Sequence, residues 1–276
     1  INGSVKNITQ LDQLEYNLDE IQFKTDSTDI SKFISEKELG ISITDTLILK
    51  GNFKGTLNKI VTKSQLITSE GNVTLEGNFH NKDTLAFDAQ LDVEKLELGR
   101  IILNNKIGPL TFTARASGVG SSVNTLDAQL TSEFKFLSYN SYDLSNLKLD
   151  GKMKEGKGEA DLVYKDHNLD LDTKLLFKLD SVSSRFGLTV DMKGADLTAL
   201  GLTRKEIRAK FKLKADFTGN QDNFDLQANI DDGVAVYDHT SFPFGGFDGQ
   251  AKIRKNTTQV SIKSSIVDLD LNSNVS

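Results

Sequence analysis

The sequence predicts an all-β fold, a long antiparallel array of amphipathic strands with a few short helical turns. Strict alternation of apolar and polar residues recurs in segment after segment, and period two is the signature of a strand with one dry and one wet face. Turn-forming residues interrupt the alternation at hairpin-like intervals, which favours meander pairing over long crossovers. A 37% hydrophobic content suffices to cover one face of a sheet in a chain of 276 residues.

The elements follow in order. Val73, Leu75 and Gly77 lead to Phe79, and Leu147, Leu149, Gly151 and Met153 repeat the pattern. Leu169, Leu171, Thr173, Leu175, Phe177 and Leu179 alternate with Asp170, Asp172, Lys174 and Lys178, and Leu176 is the one breach. Phe211, Leu213, Ala215 and Phe217 oppose Lys212, Lys214 and Asp216, and Val267, Leu269 and Leu271 close the series. Glu70-Gly71-Asn72, Asn81-Lys82-Asp83, Gly156-Lys157-Gly158 and Gly219-Asn220-Gln221 read as the turns between strands.

Three segments break the alternation in the same way: Asp29 to Phe33, Asp92 to Leu96 and Asp196 to Leu200. Each reads as a helical turn capped by its Asp and stopped by Gly40, Gly99 or Gly201. A strand running into Gly55, Gly118 or Gly219 follows each of them. The chain therefore reads as a degenerate repeat, with the end of a preceding unit at 1-28 and units at 29-91, 92-195 and 196-276. Unequal unit lengths imply inserted hairpins rather than a rigid short-period solenoid. The abrupt start at Ile1-Asn2-Gly3 and the end at Val275-Ser276 read as those of a piece of a longer protein.

A formal net charge of -6 and a pI near 5.2, with Lys and Arg spread along the chain, argue against a nucleic-acid partner. With no cysteine there are no disulfides and no thiolate metal sites. His80, His167 and His239 lie far apart and carry no metal-ligand spacing. Asp268-x-Asp270-x-Asn272 lacks the glycine and distal Glu of a calcium loop. Asp170 with Asp172 is the one pair that resembles an acid and base, but alternate positions on a wet strand face are the usual place for solubilising charge. Gly118-Val119-Gly120 and Gly156-Lys157-Gly158 read as turns, and Phe242 to Phe247 as a tight corner. Neither a cofactor nor a catalytic residue is expected, and the chain reads as non-enzymatic.

The apolar face itself remains, and it admits two structures. Stacked β-sandwiches would close it as a dry core, as in an adhesion or structural module. A single sheet curled into an open gutter would leave it free for another molecule's hydrocarbon. A carbohydrate-active β-domain working through its surface carboxylates is a third, weaker reading.

The capped Asp-aliphatic turns at Asp29, Asp92 and Asp196, the strand-to-glycine step after each, and the phrase Tyr142-Asp143-Leu144-Ser145-Asn146-Leu147-Lys148-Leu149-Asp150-Gly151 resemble the AsmA-like repeats of TamB-family proteins. The Asn-, Lys- and Asp-rich style looks like the Bacteroidota members. The resemblance spans nearly the whole chain. It implies a long, curved, taco-like β-groove in the periplasm of a Gram-negative bacterium. An N-terminal anchor outside this segment would hold the full-length protein in the inner membrane, and an outer-membrane β-barrel of the TamA type would be its partner. The implied function is conduction of phospholipid toward the outer membrane, in support of outer-membrane biogenesis. On this reading acyl chains would lie against Val73, Leu75 and Phe79, then Leu147, Leu149, Leu169, Leu171, Leu175 and Phe177, then Phe211, Leu213 and Phe217, which share a face within each strand by parity.

Overall fold

The computed structural model describes residues 1–34, 36–180, 182–220, 222–265 and 267–274. Nineteen strands form one open antiparallel sheet, not closed into a barrel. By contacts the chain divides into two compact units, Ile1–Ser121 with Ala128–Leu147, and Ser122–Asp127 with Lys148–Ser276.

The first unit holds β1 (Asn2–Lys6), β2 (Glu15–Thr25), α1 (Ser27–Ile30), α2 (Glu36–Leu39), β3 (Leu47–Thr56), β4 (Lys59–Thr68), β5 (Gly71–Asn81), β6 (Leu85–Leu96), α3 (Leu98–Ile101), β7 (Ile107–Val119), nearly all of β8 (Asp127–Tyr139), and β9 (Tyr142–Leu144). Ladders join β1 to β7 in chain order. β8 lies beside β7, where the Phe112 and Phe134 rings stack at 5.0 Å, and β9 pairs with the end of β8.

The second unit holds β10 (Leu147–Lys154), β11 (Lys157–Lys165), β12 (Leu169–Lys178), β13 (Ser184–Asp196), β14 (Ile207–Gly219), β15 (Phe224–Tyr237), β16 (Thr240–Phe244), β17 (Phe247–Arg254), β18 (Thr257–Lys263) and β19 (Asp268–Asn274). Pairing is again between strands adjacent in sequence, except that β15 splits its partners: its C-terminal half pairs with β16 and its N-terminal half with β17. Phe242 to Phe247 is thus the end of β16, a Gly245-Gly246 break with φ of +63° at Gly246, and the start of β17. Gln221, in one expected turn, lies outside the described residues.

Corresponding strands open at Leu85 and Ser184, Ile107 and Ile207, Asp127 and Phe224, Leu147 and Phe247, and Lys157 and Thr257. The run β6 to β12 therefore recurs as β13 to β19 at a period of about 100 residues. Strands β3 to β6 separate α1 and α2 from α3, whereas β7 to β13 lie between α3 and the turn at Leu197. The longer interval carries three more strands, the three-residue β9 among them.

Two of the three expected helical caps fall elsewhere. Asp26, not Asp29, caps α1, its carboxylate accepting from the Asp29 amide at 2.9 Å, and Asp29 sits inside the helix. Asp92 to Leu96 is strand. Val93 packs in the ladder opposite Phe112, while Asp92 accepts from Gln90 and Thr113, so cross-strand pairing overrides the local helix signal. A bulge at Glu94 and Lys95, with φ of +49° at Lys95, shifts the register before Leu96 pairs with Leu110, and α3 follows with Gly99 inside it, where a Cβ would fall 1.8 Å from the Ile107 carbonyl oxygen. Asp196 behaves as expected: its carboxylate accepts from the Thr198 and Ala199 amides at 3.1 and 3.0 Å and tightens the turn that ends at Gly201.

Stacked sandwiches are not what forms. Among the described residues the buried apolar set is confined to Val93, Leu110, Leu147, Tyr164, Ala195, Leu200 and Ala209. The chain exposes 18071 Å² for a mass of 30.4 kDa. A compact globule of that mass exposes about 11,800 Å², and two separate globules of half the mass about 14,200 Å². Division into two units therefore does not account for the excess; a one-layer sheet does.

Candidate functional site

The ladder registers assemble the alternating residues into continuous rows across the strands. In the second unit one row runs Met153, Gly158, Phe177, Phe186, Phe217, Leu226, Ala251, Val260, Leu271. The next runs Gly151, Ala160, Leu175, Leu188, Ala215, Ala228, Gly249, Ile262, Leu269, and a third runs from Leu149 through Leu162, Thr173, Val190 and Leu213 to Ile230 and Phe247. No charged side chain interrupts them. At about 4.8 Å per strand and about 6.7 Å per row, this face extends roughly 40 Å across the strands. It is large against the few hundred Å² of contiguous apolar surface usual on a soluble monomer.

Leu149, Leu175, Phe177, Leu213 and Phe217 occupy the three rows just described. Leu171 and Phe211 both pair with Met192, and Leu169 pairs with Ala195. Leu147 is buried, and Phe211 reaches Phe244 at 6.4 Å between ring centroids. In the first unit Val73 lies between Leu66 and Val93, Leu75 between Ser64 and Leu91, and Phe79 between Ile60 and Phe87. Gly77 completes that strand: a Cβ there would fall 2.5 Å from the Phe79 ring, which lies across it.

Several residues of equal standing were passed over in the sequence. Phe186, Leu188, Val190 and Met192 carry the alternation along β13, and it is plain in the sequence once the strand is framed. Strand β11 hides it, because Gly158 and Ala160 stand at dry positions and Val163 at a wet one.

These side chains are half-buried rather than buried. Leu175, Leu188, Leu213 and Ile230, in the middle of their rows, all keep partial exposure. A sandwich core would have sealed them.

The opposite face carries ion pairs that alternate in sign across strands. Glu159 bridges Lys152 and Lys174, each at 2.7 Å, and hydrogen bonds from both ammonium groups lower its pKa to about 2. Asp170 pairs with Lys165 at 2.5 Å, and Asp172 with Lys193, so both carboxylates considered as an acid and base are engaged by lysines. His80 is in β5, His167 bonds Asn168 in a turn, and His239 sits at φ of +58° in the β15–β16 turn. Among the described residues no helix is long and apolar enough to cross a membrane.

No protein-family model, curated protein or solved structure matches the chain.

Proposed function

We propose that this chain is a stretch of a passive conduit for phospholipid in the periplasm of a Gram-negative bacterium, in which acyl chains lie on the dry face of the sheet. The observation that supports it is an apolar face, continuous through successive strands of the second unit and, among the described residues, left half-exposed along its rows. The resemblance of the sequence to TamB-family repeats supports the direction and setting. On that reading the full-length protein bridges from an inner-membrane anchor to an outer-membrane β-barrel of the TamA type, conducts lipid outward and supports outer-membrane biogenesis, without cofactor or turnover chemistry.

The physical case is the cost of the alternative. Two acyl chains crossing water expose about 30 methylenes at about 0.8 kcal/mol each, on the order of 24 kcal/mol. A continuous hydrocarbon-like lining removes most of that barrier and needs no chemistry from the side chains that provide it.

The test is mass spectrometry of organic extracts of the purified chain beside a Phe177→Asp, Phe211→Asp double variant verified as folded. Near-stoichiometric phospholipid in the wild type, lost from the variant, is the expected result. Lipid no higher than in an unrelated soluble control overturns the proposal.

A further inference from the structure

Like charges meet elsewhere on the polar face, Asp150 opposite Asp161 and Asp172 opposite Asp191, but one row carries four cations in succession. Lys154 pairs with Lys157 across β10 and β11, Lys157 with Lys178 across β11 and β12, and Lys178 with Arg185 across β12 and β13. Four cations thus stand directly opposite one another, all exposed, and none makes an ion pair or a side-chain hydrogen bond among the described residues. Like charges in directly paired positions destabilise a sheet. The next row inward avoids this: Lys152 stands opposite Glu159, and Glu159 opposite Leu176.

The position of the row is informative. Lys154 and Lys157 flank the β10–β11 turn, and Lys178 and Arg185 flank the β12–β13 connection, so the row borders one lip of the sheet. Each cation is one residue along its strand from the outermost apolar row, beside Met153, Gly158, Phe177 and Phe186 respectively. Together with Leu176 and Gly187 the four line an open depression of about 780 Å³. Leu176, 52% exposed, supplies apolar surface among the charges. The acids nearby do not balance the row: Glu159 is held by Lys152 and Lys174, Asp180 accepts from the Val182 and Ser183 amides, and Glu155, in the β10–β11 turn, with Asp216 makes two charges against four.

We infer that Lys154, Lys157, Lys178 and Arg185 form a receptor for the phosphate of a lipid headgroup whose acyl chains lie on the adjoining aromatic row. The inference rests on the conduit reading given above and adds a substrate class, anionic phospholipid. A tail on Phe177 and Phe186 leaves its headgroup at the lip, in water, where long cationic side chains with apolar stems reach it. Phosphate oxygens accept charge-assisted hydrogen bonds from several cations at once, which relieves the repulsion within the row.

The experiment compares the whole chain with a K154Q/K157Q/K178Q/R185Q variant and with K148Q/K210Q/K214Q/K252Q, which loses the same charge elsewhere. The probes are phosphatidylglycerol and diacylglycerol with identical fluorescent acyl chains, at low salt. Wild type is expected to prefer phosphatidylglycerol by about tenfold, a preference the lip variant loses and the matched variant keeps, with diacylglycerol affinity within about twofold throughout. Persistence of the preference in the folded lip variant, or its equal loss in the matched variant, overturns the inference. So does displacement of phosphatidylglycerol by inorganic phosphate at millimolar concentration, which identifies a free-anion site instead. Binding of diacylglycerol to wild type without preference defeats this inference alone. Binding of neither lipid defeats it together with the conduit.

Discussion

Phe186 faces Phe217 directly across the β13–β14 ladder, with ring centroids 5.8 Å apart and planes tilted by 55°. The pair belongs to the outermost apolar row and is half-open to solvent on the side away from the strands. Truncation to Ala therefore forfeits an aromatic pair interaction of about 0.5–1.5 kcal/mol and a partial burial, not the 3–5 kcal/mol typical of a sealed core phenylalanine. Phe186→Ala, which leaves the stack of Phe217 on Phe224 in place, is expected to cost about 1–2 kcal/mol in urea unfolding. A loss above about 3 kcal/mol indicates that a second layer covers the row.

Charge inversion at the lip should stabilise. Lys157→Glu places a carboxylate between Lys154 and Lys178 and makes the charges of the row alternate. The expected gain is about 0.5 kcal/mol at low ionic strength, shrinking as salt screens it. Thermal unfolding at two salt concentrations reads both.

Glu159 gives a pH dependence of known sign. Its folded pKa, about 2, lies below the ordinary value of 4.5 because Lys152 and Lys174 hydrogen-bond the carboxylate. A depressed carboxyl pKa contributes stability that is fully present above the unfolded value and is lost as pH falls through the folded one. Wild type should therefore lose more stability than Glu159→Gln between about pH 5 and pH 2. Parallel profiles of unfolding midpoint against pH for the two proteins count against the bridge.

Asp196→Ala removes the acceptor for the Thr198 and Ala199 amides. A lost cap of this kind costs about 1 kcal/mol. Hydrogen exchange should accelerate at Thr198 and Ala199 before it changes at Leu213 or Val190, since those are held in ladders on both sides.

Strand identity and facing were readable from the sequence because period two is set by backbone geometry alone. Phe211, Leu213 and Phe217 could be assigned to one face without knowing their partners. Whether that face is sealed was not readable. Leu175 has the same neighbours along its strand in a sandwich and in a single layer, and only the absence of an opposing sheet distinguishes them. The Asp92 segment failed for a related reason: its helix-like spacing is local, whereas the pairing of Val93 with Phe112 comes from a strand that begins after α3. The lip cations escaped notice because Lys154 and Arg185 are far apart in sequence and join one row only through three successive ladders.

A hairpin added to such a sheet is a unit of length. Ladders run between successive strands, and each strand keeps its own parity, so adding a hairpin lengthens the dry face by two strand widths, about 9.6 Å, and turns no residue over. Span can then vary in fixed increments while the surface presented stays the same. Such a sheet can be lengthened or shortened in whole steps, much as a ruler is cut at its graduations.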